Sequence, residues 1–242
     1  MKFYLSKLIL FLKFIFFPKL IAQKERVLYG DSVRVDFKGV NLPLLISFAG
    51  LGEEFNFGKT LGVYRVNVIY LRDLNHNWYV NGIPDAGNTV AEVARFLVLK
   101  IEEIRPSKVV MLGVSAGGFA ALLYGCLLHA DAILAFSPQT FMNRLNCVVY
   151  LDYRWLDRVV QIYGGDKTNR DFLDIKMLII KSKVPVSLIY DSTHRLDNLH
   201  SKRITGPHVK HVTTKGGGHT LVQEIRASGL LTKLVEEAIQ PG

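Results

Sequence analysis

The order of apolar and polar positions divides the chain into short buried strands and longer amphipathic helices that alternate. "RVLYGDSVRVDF" (26–37) reads as two short strands around a Gly30-Asp31 turn, an antiparallel entry to a sheet. "LPLLISFAGLG" (42–52) and "RVNVIYLRD" (65–73) are continuous apolar runs, the pattern of strands covered on both faces. "NTVAEVARFLVLKIEEIRP" (88–106) switches to helical spacing, with Asn88 or Thr89 as cap and Pro106 as stop. A strand (108–113), a helix (117–130) and a strand (132–138) follow. The stretch 139–183 loses its period and carries Phe141, Tyr150, Tyr153, Trp155 and Tyr163, so it reads as mixed helices and loops over the sheet edge, a small cap. Strands over 184–191 and 208–214 and a closing helix over 220–239 complete the pattern.

Strands and helices in alternation predict an α/β fold, a mostly parallel central sheet with helices on both faces. One domain is expected over 26–242, preceded by an amphipathic basic helix over 1–25.

Composition narrows the class. Apolar residues make up 49% and charged residues 21% of the 242, which excludes a disordered or fibrous chain. The two cysteines, Cys126 and Cys147, stand in no metal-ligand spacing and form no disulfide framework, which suits a reducing, cytoplasmic setting. No other metal-ligand spacing occurs.

The net charge of +9 is uneven, since residues 1–26 hold six Lys or Arg against Glu25. Between those lysines "LILFLKFIFF" (8–17) is shorter than the roughly 20 apolar residues a membrane span needs, and Lys13 interrupts it. "PKLIAQKER" offers no small-residue cleavage site, so a secretory signal is not expected. Lysines spaced through an apolar segment suit the membrane interface, and residues 1–20 are expected either to contact the inner membrane peripherally or to pack on their own domain. Basic residues elsewhere are scattered over predicted helix faces, so no nucleic-acid partner is expected.

The candidate chemistry lies in "VVMLGVSAGGFAALLYG" (109–125), where Gly113-Val114-Ser115-Ala116-Gly117 joins a predicted strand to a predicted helix. A serine on so tight a turn needs small neighbours two positions away, and the helix N-terminus beyond it offers free N–H groups. A phosphate-binding loop would want Lys and Ser/Thr after the last glycine, where Phe119 and Ala120 stand instead. A serine hydroxyl becomes nucleophilic only beside a base, usually a histidine oriented by a carboxylate.

With strand before and helix after, this G-x-S-x-G segment resembles the α/β-hydrolase superfamily, and the resemblance covers most of residues 27–240 at the level of element order. It implies the chain order serine, acid, histidine. "TTKGGGHT" (213–220) sets His219 in a glycine-rich loop after the last strand, where the family keeps its base. His76, His129, His194, His200, His208 and His211 lack that placement and are read as surface or structural. The acid is expected in "IYDSTHRLDNLHS" (189–201). Asp197, on a loop able to curl back to His219, is favoured over Asp191 at the strand end, where the family more usually has glycine.

The resemblance also implies an oxyanion hole from the N–H of Ala116 and one from "FAGLGEEF" (48–55), with Gly50 or Leu51 as candidates. "LRDLNHNWYVNGIPDAG" (71–87) is expected to line the same rim, with Arg72, Asp73, Trp78 and Tyr79 able to contact substrate, although a Trp-Tyr pair equally suits core packing. "SFAGLG", "LRDLNHNWY", "GVSAGGFAALLYG" and "AFSPQT" are similar to α/β-hydrolase-like proteins of bacterial surface-polysaccharide loci, among them capsule O-acetyltransferases. That likeness implies a glycan substrate and acetyl-CoA as a candidate donor, with no resident cofactor. The reading is thus a serine esterase or O-acyltransferase, and the alternative is a non-catalytic module that binds a glycan or a partner on the same fold.

Overall fold

The structure, a computed structural model, describes residues 25–52, 54–165 and 167–240. The expected N-terminal helix lies outside the described residues. Eight strands form one sheet: β1 (Glu25–Tyr29), β2 (Val33–Phe37), β3 (Leu44–Phe48), β4 (Asn67–Leu71), β5 (Val109–Val114), β6 (Ala132–Phe136), β7 (Val186–Asp191) and β8 (Val209–Thr214). Their order is β1-β2-β4-β3-β5-β6-β7-β8; β2 runs antiparallel to both its neighbours, and every other pairing is parallel.

The helices are α1 (Gly58–Leu61), α2 (Val90–Ile104), α3 (Ala116–Leu127), α4 (Arg144–Val149), α5 (Leu156–Tyr163), α6 (Lys176–Ser182), α7 (Arg195–Lys202), α8 (Val222–Ala227) and α9 (Leu230–Ile239). Among the described residues no helix is long and apolar enough to cross a membrane.

β3 and β4 are buried at all five positions each, as continuous apolar runs require when both faces are covered. Alternate residues serve two cores. Leu44, Ile46, Phe48 and Met111 face a cluster with α2, α3 and α6. Leu45, Val110 and Leu112 face a second with α1, α8 and α9. Residues Ala116 to Cys126 of α3 are all buried, which explains why this helix lacks a polar face. Thr89 caps α2 by accepting the Glu92 N–H at 3.2 Å, settling the choice between Asn88 and Thr89.

Two expectations are corrected. The single closing helix over 220–239 is a 3-10 turn (Gly218–Thr220) followed by α8 and α9, because Gly229 takes φ 78° and breaks the run. The polar stretch after β7, expected as a loop, contains α7, capped by His194, whose Nδ1 accepts the Asp197 N–H. Histidine is a weak statistical capping signal, and with three charges in eight residues α7 shows little apolar surface, so neither mark was visible in sequence.

Leu112, at the centre of β5 and fully buried, couples the sheet to the second core. Leu112→Ala is expected to cost about 2–5 kcal/mol of folding free energy, read from urea unfolding.

Candidate active site

The site begins with a steric constraint. Between β5 and α3 the backbone reverses at Ser115, which takes φ 57° and ψ −118°, a conformation an L-residue holds only when its surroundings impose it. A Cβ on Gly113 would lie 2.1 Å from the Gly117 carbonyl oxygen, and one on Gly117 would lie 2.2 Å from that of Phe48. Both flanking positions of the motif are therefore closed to any side chain. The Ser115 N–H is held by the Phe136 carbonyl at 2.9 Å, and the Phe119 N–H closes the first helical turn on the Ser115 carbonyl.

This turn aims Ser115 Oγ at His219, which lies 2.8 Å away through Nε2. His219 Nδ1 lies 2.8 and 2.9 Å from the two oxygens of Asp197. An ionised carboxylate only accepts, so Nδ1 carries the ring proton, and Nε2 is left to accept the serine hydroxyl proton. Burial raises the Asp197 pKa, but the His219 hydrogen bond and the charges of His219, His194 and Arg154 outweigh it, and the net shift is downward. Asp197 stays ionised at neutral pH.

Asp191 has a different task. Its Oδ2 accepts the Gly218 N–H at 2.9 Å and its Oδ1 accepts the Thr193 N–H and hydroxyl at 2.8 and 2.7 Å. Burial raises its pKa, yet these donors, with the Gly216 N–H, bring it down to about 2. Asp191 thus pins the loop that carries His219, while Asp197, from the first turn of α7, faces the imidazole.

Behind Asp197 lies a paired set of charges. Arg154 grips Asp152 in a fork at 2.9 and 2.8 Å and reaches Asp197 at 3.5 Å. Asp152 meets His200 Nε2 at 2.9 Å, and His200 Nδ1 accepts the Thr140 N–H at 3.0 Å, which fixes the ring as the Nε2–H tautomer. Burial lowers the His200 pKa despite the Asp152 bond, consistent with a neutral ring. Burial opposes ionisation of Asp152 too, but the Arg154 fork and His200 hold its pKa far below the usual range. His194, Asp197 and His219 present ligand atoms within 4.8 Å of one another, but the Arg154 guanidinium already supplies positive charge there, which disfavours a second cation.

Gln139, fully buried after β6, had no functional reading in sequence beyond lying in "AFSPQT". Its Oε1 lies 3.3 Å from Ser115 Oγ and accepts Trp78 Nε1–H at 3.2 Å. The serine hydroxyl therefore has two acceptors, and the shorter contact is with His219. Gln139 Nε2 is buried with no hydrogen-bond partner among the described residues.

Several expected contacts are corrected. Trp78 and Tyr79, expected at the substrate rim, are 0% and 1% exposed. Asp73, expected beside them, is instead the hub of their loop: it accepts the N–H groups of Asn75, Asn77 and Tyr79 and folds the segment inward. Tyr79 Oη donates to the Ala49 carbonyl at 2.7 Å, and Trp78 packs edge-on to Trp155. Arg72 Nε donates to the Asp31 carbonyl at 2.6 Å and its guanidinium lies over Phe55, so it braces the β1–β2 turn.

Gly50, an oxyanion candidate, has its N–H taken by Asn56 Oδ1 at 2.7 Å. A Cβ on Gly50 would stand 3.2 Å from the Val114 carbonyl oxygen, so this loop does abut the serine turn. The N–H groups of Leu51 and Ala116 find no acceptor among the described residues.

No protein-family model matches the sequence, and no curated protein matches it. Solved structures do match in three dimensions. The capsule O-acetyltransferase of Neisseria meningitidis serogroup A is 14% identical, with 89% of this chain and 96% of that one covered at a TM-score of 0.62. A mutant of that acetyltransferase has been solved in complex with CoA. The fluorophosphonate-binding serine hydrolase F of Staphylococcus aureus, substrate bound, is also 14% identical, covering 90% and 98% at 0.62. An α/β hydrolase enzyme from the sediment metagenome of the Mar Chica lagoon, Morocco, is 18% identical, covering 88% and 98% at 0.58. The chain has the α/β-hydrolase fold.

Two outcomes follow from the site's construction. Gly117→Ala, whose Cβ would run into backbone oxygens that cannot turn aside, is expected to destabilise the protein by about 4–5 kcal/mol, the upper end for single substitutions, in a thermal melt. Asp191 is ordinarily half-protonated near pH 3.9 in an unfolded chain and near about 2 in the fold, so its stabilisation is complete above pH 4 and is lost as pH falls through that window. Asp191→Asn should lower stability at pH 7 and flatten its decline between pH 4 and 2, measured by urea unfolding across pH.

Proposed function

We propose that the protein is a serine-nucleophile enzyme acting on carboxylic esters through an acyl-serine intermediate, an esterase or an O-acyl(acetyl)transferase whose acceptor is a bacterial glycan. The observation that carries this reading is the unbroken chain of contacts from Asp197 through His219 to Ser115, on a turn flanked by uncommitted N–H groups.

In this mechanism Ser115 Oγ attacks the ester carbonyl carbon while His219 Nε2 takes its proton. Asp197 stabilises the imidazolium, and the carbonyl oxygen, now negative, is held by the N–H groups of Ala116 and Leu51. Collapse breaks the bond to the leaving alcohol, or to the thiol if acetyl-CoA is the donor, and His219 returns the proton to it. Water or a sugar hydroxyl then gives its proton to His219 and attacks the acyl-serine; the bond from the acyl carbon to Ser115 Oγ breaks, and His219 returns that proton to the serine. Gln139 Oε1 competes with His219 for the resting hydroxyl and is freed when the proton moves.

The fold shared with a capsule O-acetyltransferase supports the transferase branch and acetyl-CoA as donor, and the fold shared with serine hydrolases supports the esterase branch. The lysine-bearing apolar residues 1–20 fit a peripheral contact at the inner face of a cytoplasmic membrane, where a nascent glycan would be met.

A fluorophosphonate probe is expected to modify the protein at Ser115, located by peptide mass spectrometry, and Ser115→Ala should lose both the adduct and at least ~10⁴-fold of ester turnover. Asp197→Asn should lose about 10⁴-fold in kcat through the wrong imidazole tautomer, while Asp191→Asn keeps most of its turnover at neutral pH. Turnover of an activated acetyl ester only when a glycan acceptor is added would mark a transferase; turnover in water alone would mark an esterase. A folded protein whose Ser115 ignores the probe would leave only the non-catalytic binding module.

A further inference from the structure

Between β6 and β7 the chain makes a helical insertion that the reaction does not fully use. Of the ten exposed residues from 144 to 161, seven are large and apolar, Leu145, Val148, Val149, Leu151, Leu156 and Val160 among them. Leu145 is 72% and Val160 62% exposed. Elsewhere on the described surface, exposed apolar residues occur singly or in adjacent pairs, which is ordinary for a soluble face.

These side chains lie on α4, on α5 and on the turn between them. Leu145, Val148 and Val149 share a face of α4 by their spacing, as Leu156 and Val160 do on α5. The start of α4 meets the end of α5, where the Arg144 N–H contacts Tyr163 Oη at 3.4 Å and its guanidinium covers the Tyr163 ring. Cys147, Val159 and Ile162 turn inward, and the apolar side chains at Leu145, Val148, Val149, Leu156 and Val160 are left exposed.

The surface borders the site. Arg195, from the helix that carries Asp197, donates to the carbonyls of Tyr150 and Leu151 at 3.2 and 2.9 Å, and Arg154 links the same connection to Asp197.

We propose that the exposed apolar side chains of α4, α5 and the turn between them dock on an anionic lipid surface, with the valine and leucine side chains at the headgroup boundary and Arg144, Arg158 and Arg195 against the phosphates. Charge decides between occupants. Asp157 is the one exposed carboxylate from 139 to 165, against exposed Arg144 and Arg195 and half-buried Arg158. Two copies meeting through this face would bring like charges together on a chain of net charge +9, whereas an anionic leaflet attracts them.

A small apolar patch binds a bilayer weakly by itself, and stable peripheral attachment takes two signals. The lysine-spaced apolar stretch within residues 1–20 has the composition of the other. Docking does not depend on the reaction proposed above, but it would set the rim of the site at the membrane surface.

The test uses the full chain with Val149→Cys carrying an environment-sensitive NBD fluorophore. Both native thiols are buried, and burial pushes each up to about 11, so labelling falls on the new cysteine. Vesicles rich in phosphatidylglycerol are expected to shift NBD emission to the blue, phosphatidylcholine vesicles to leave it unchanged, and Leu145→Asp with Val160→Asp to abolish the shift. Three results would overturn the proposal: an equal response to phosphatidylcholine, no shift although the protein sediments with the vesicles, or emission already blue in buffer. In the last case sedimentation velocity tells a second copy from residues 1–24 folded over the face. Fluorophosphonate labelling of Ser115 in the same preparation reports on the proposed chemistry separately, so the failure of one reading is not mistaken for the failure of the other.

Discussion

The structure turns on one close approach of backbones. Where β5 hands over to α3, the chain passes so near to itself and to the end of β3 that no Cβ fits at Gly113 or Gly117, and Ser115 is held at a positive φ. A fully buried α3, wedged between the sheet and the β6–β7 insertion, keeps that turn from relaxing. The strain points the hydroxyl outward over the C-terminal edge of the parallel strands, where the β7 and β8 connections can reach it.

The second constraint is electrostatic. Buried charge is tolerated only when paired, and the acid side of the site is built as a series of pairs: Asp197 with His219 and Arg154, Arg154 with Asp152, Asp152 with His200. These contacts run from α7 into the β6–β7 insertion and, through Thr140, to the loop holding Gln139. The insertion is thereby fastened to the acid. Asp191, spent on the backbone of the histidine loop, makes the other half of the scaffold, so two carboxylates six positions apart do unlike work.

Much of this was legible in the chain. The strands could be read because apolar runs of that length have few other uses, and the order β5, serine, α3 followed from glycines whose spacing answers a local steric demand. His219 was legible by its place after the last strand. Trp78 and Tyr79 misled because aromatic residues suit a rim or a core equally; Asp73, gathering three N–H groups, turned their loop inward. Gly50 misled because its loop does abut the serine turn, but Asn56, six residues on, engages its N–H. Gln139 gave no signal beyond its place in "AFSPQT", since a lone glutamine in a loop has no spacing to betray a role.

By itself, then, the sequence determined the succession of elements and the turn at Ser115, because both rest on contacts within a few residues along the chain, and it marked His219 as the candidate base through the family likeness of its place after the last strand. Only the tertiary structure decided which aspartate meets the imidazole, which side chains leave the rim for the core, and what stands behind the acid. Those answers depend on an unforeseen short helix after β7 and on pairings between residues 22 to 104 positions apart, whose distances no local pattern encodes.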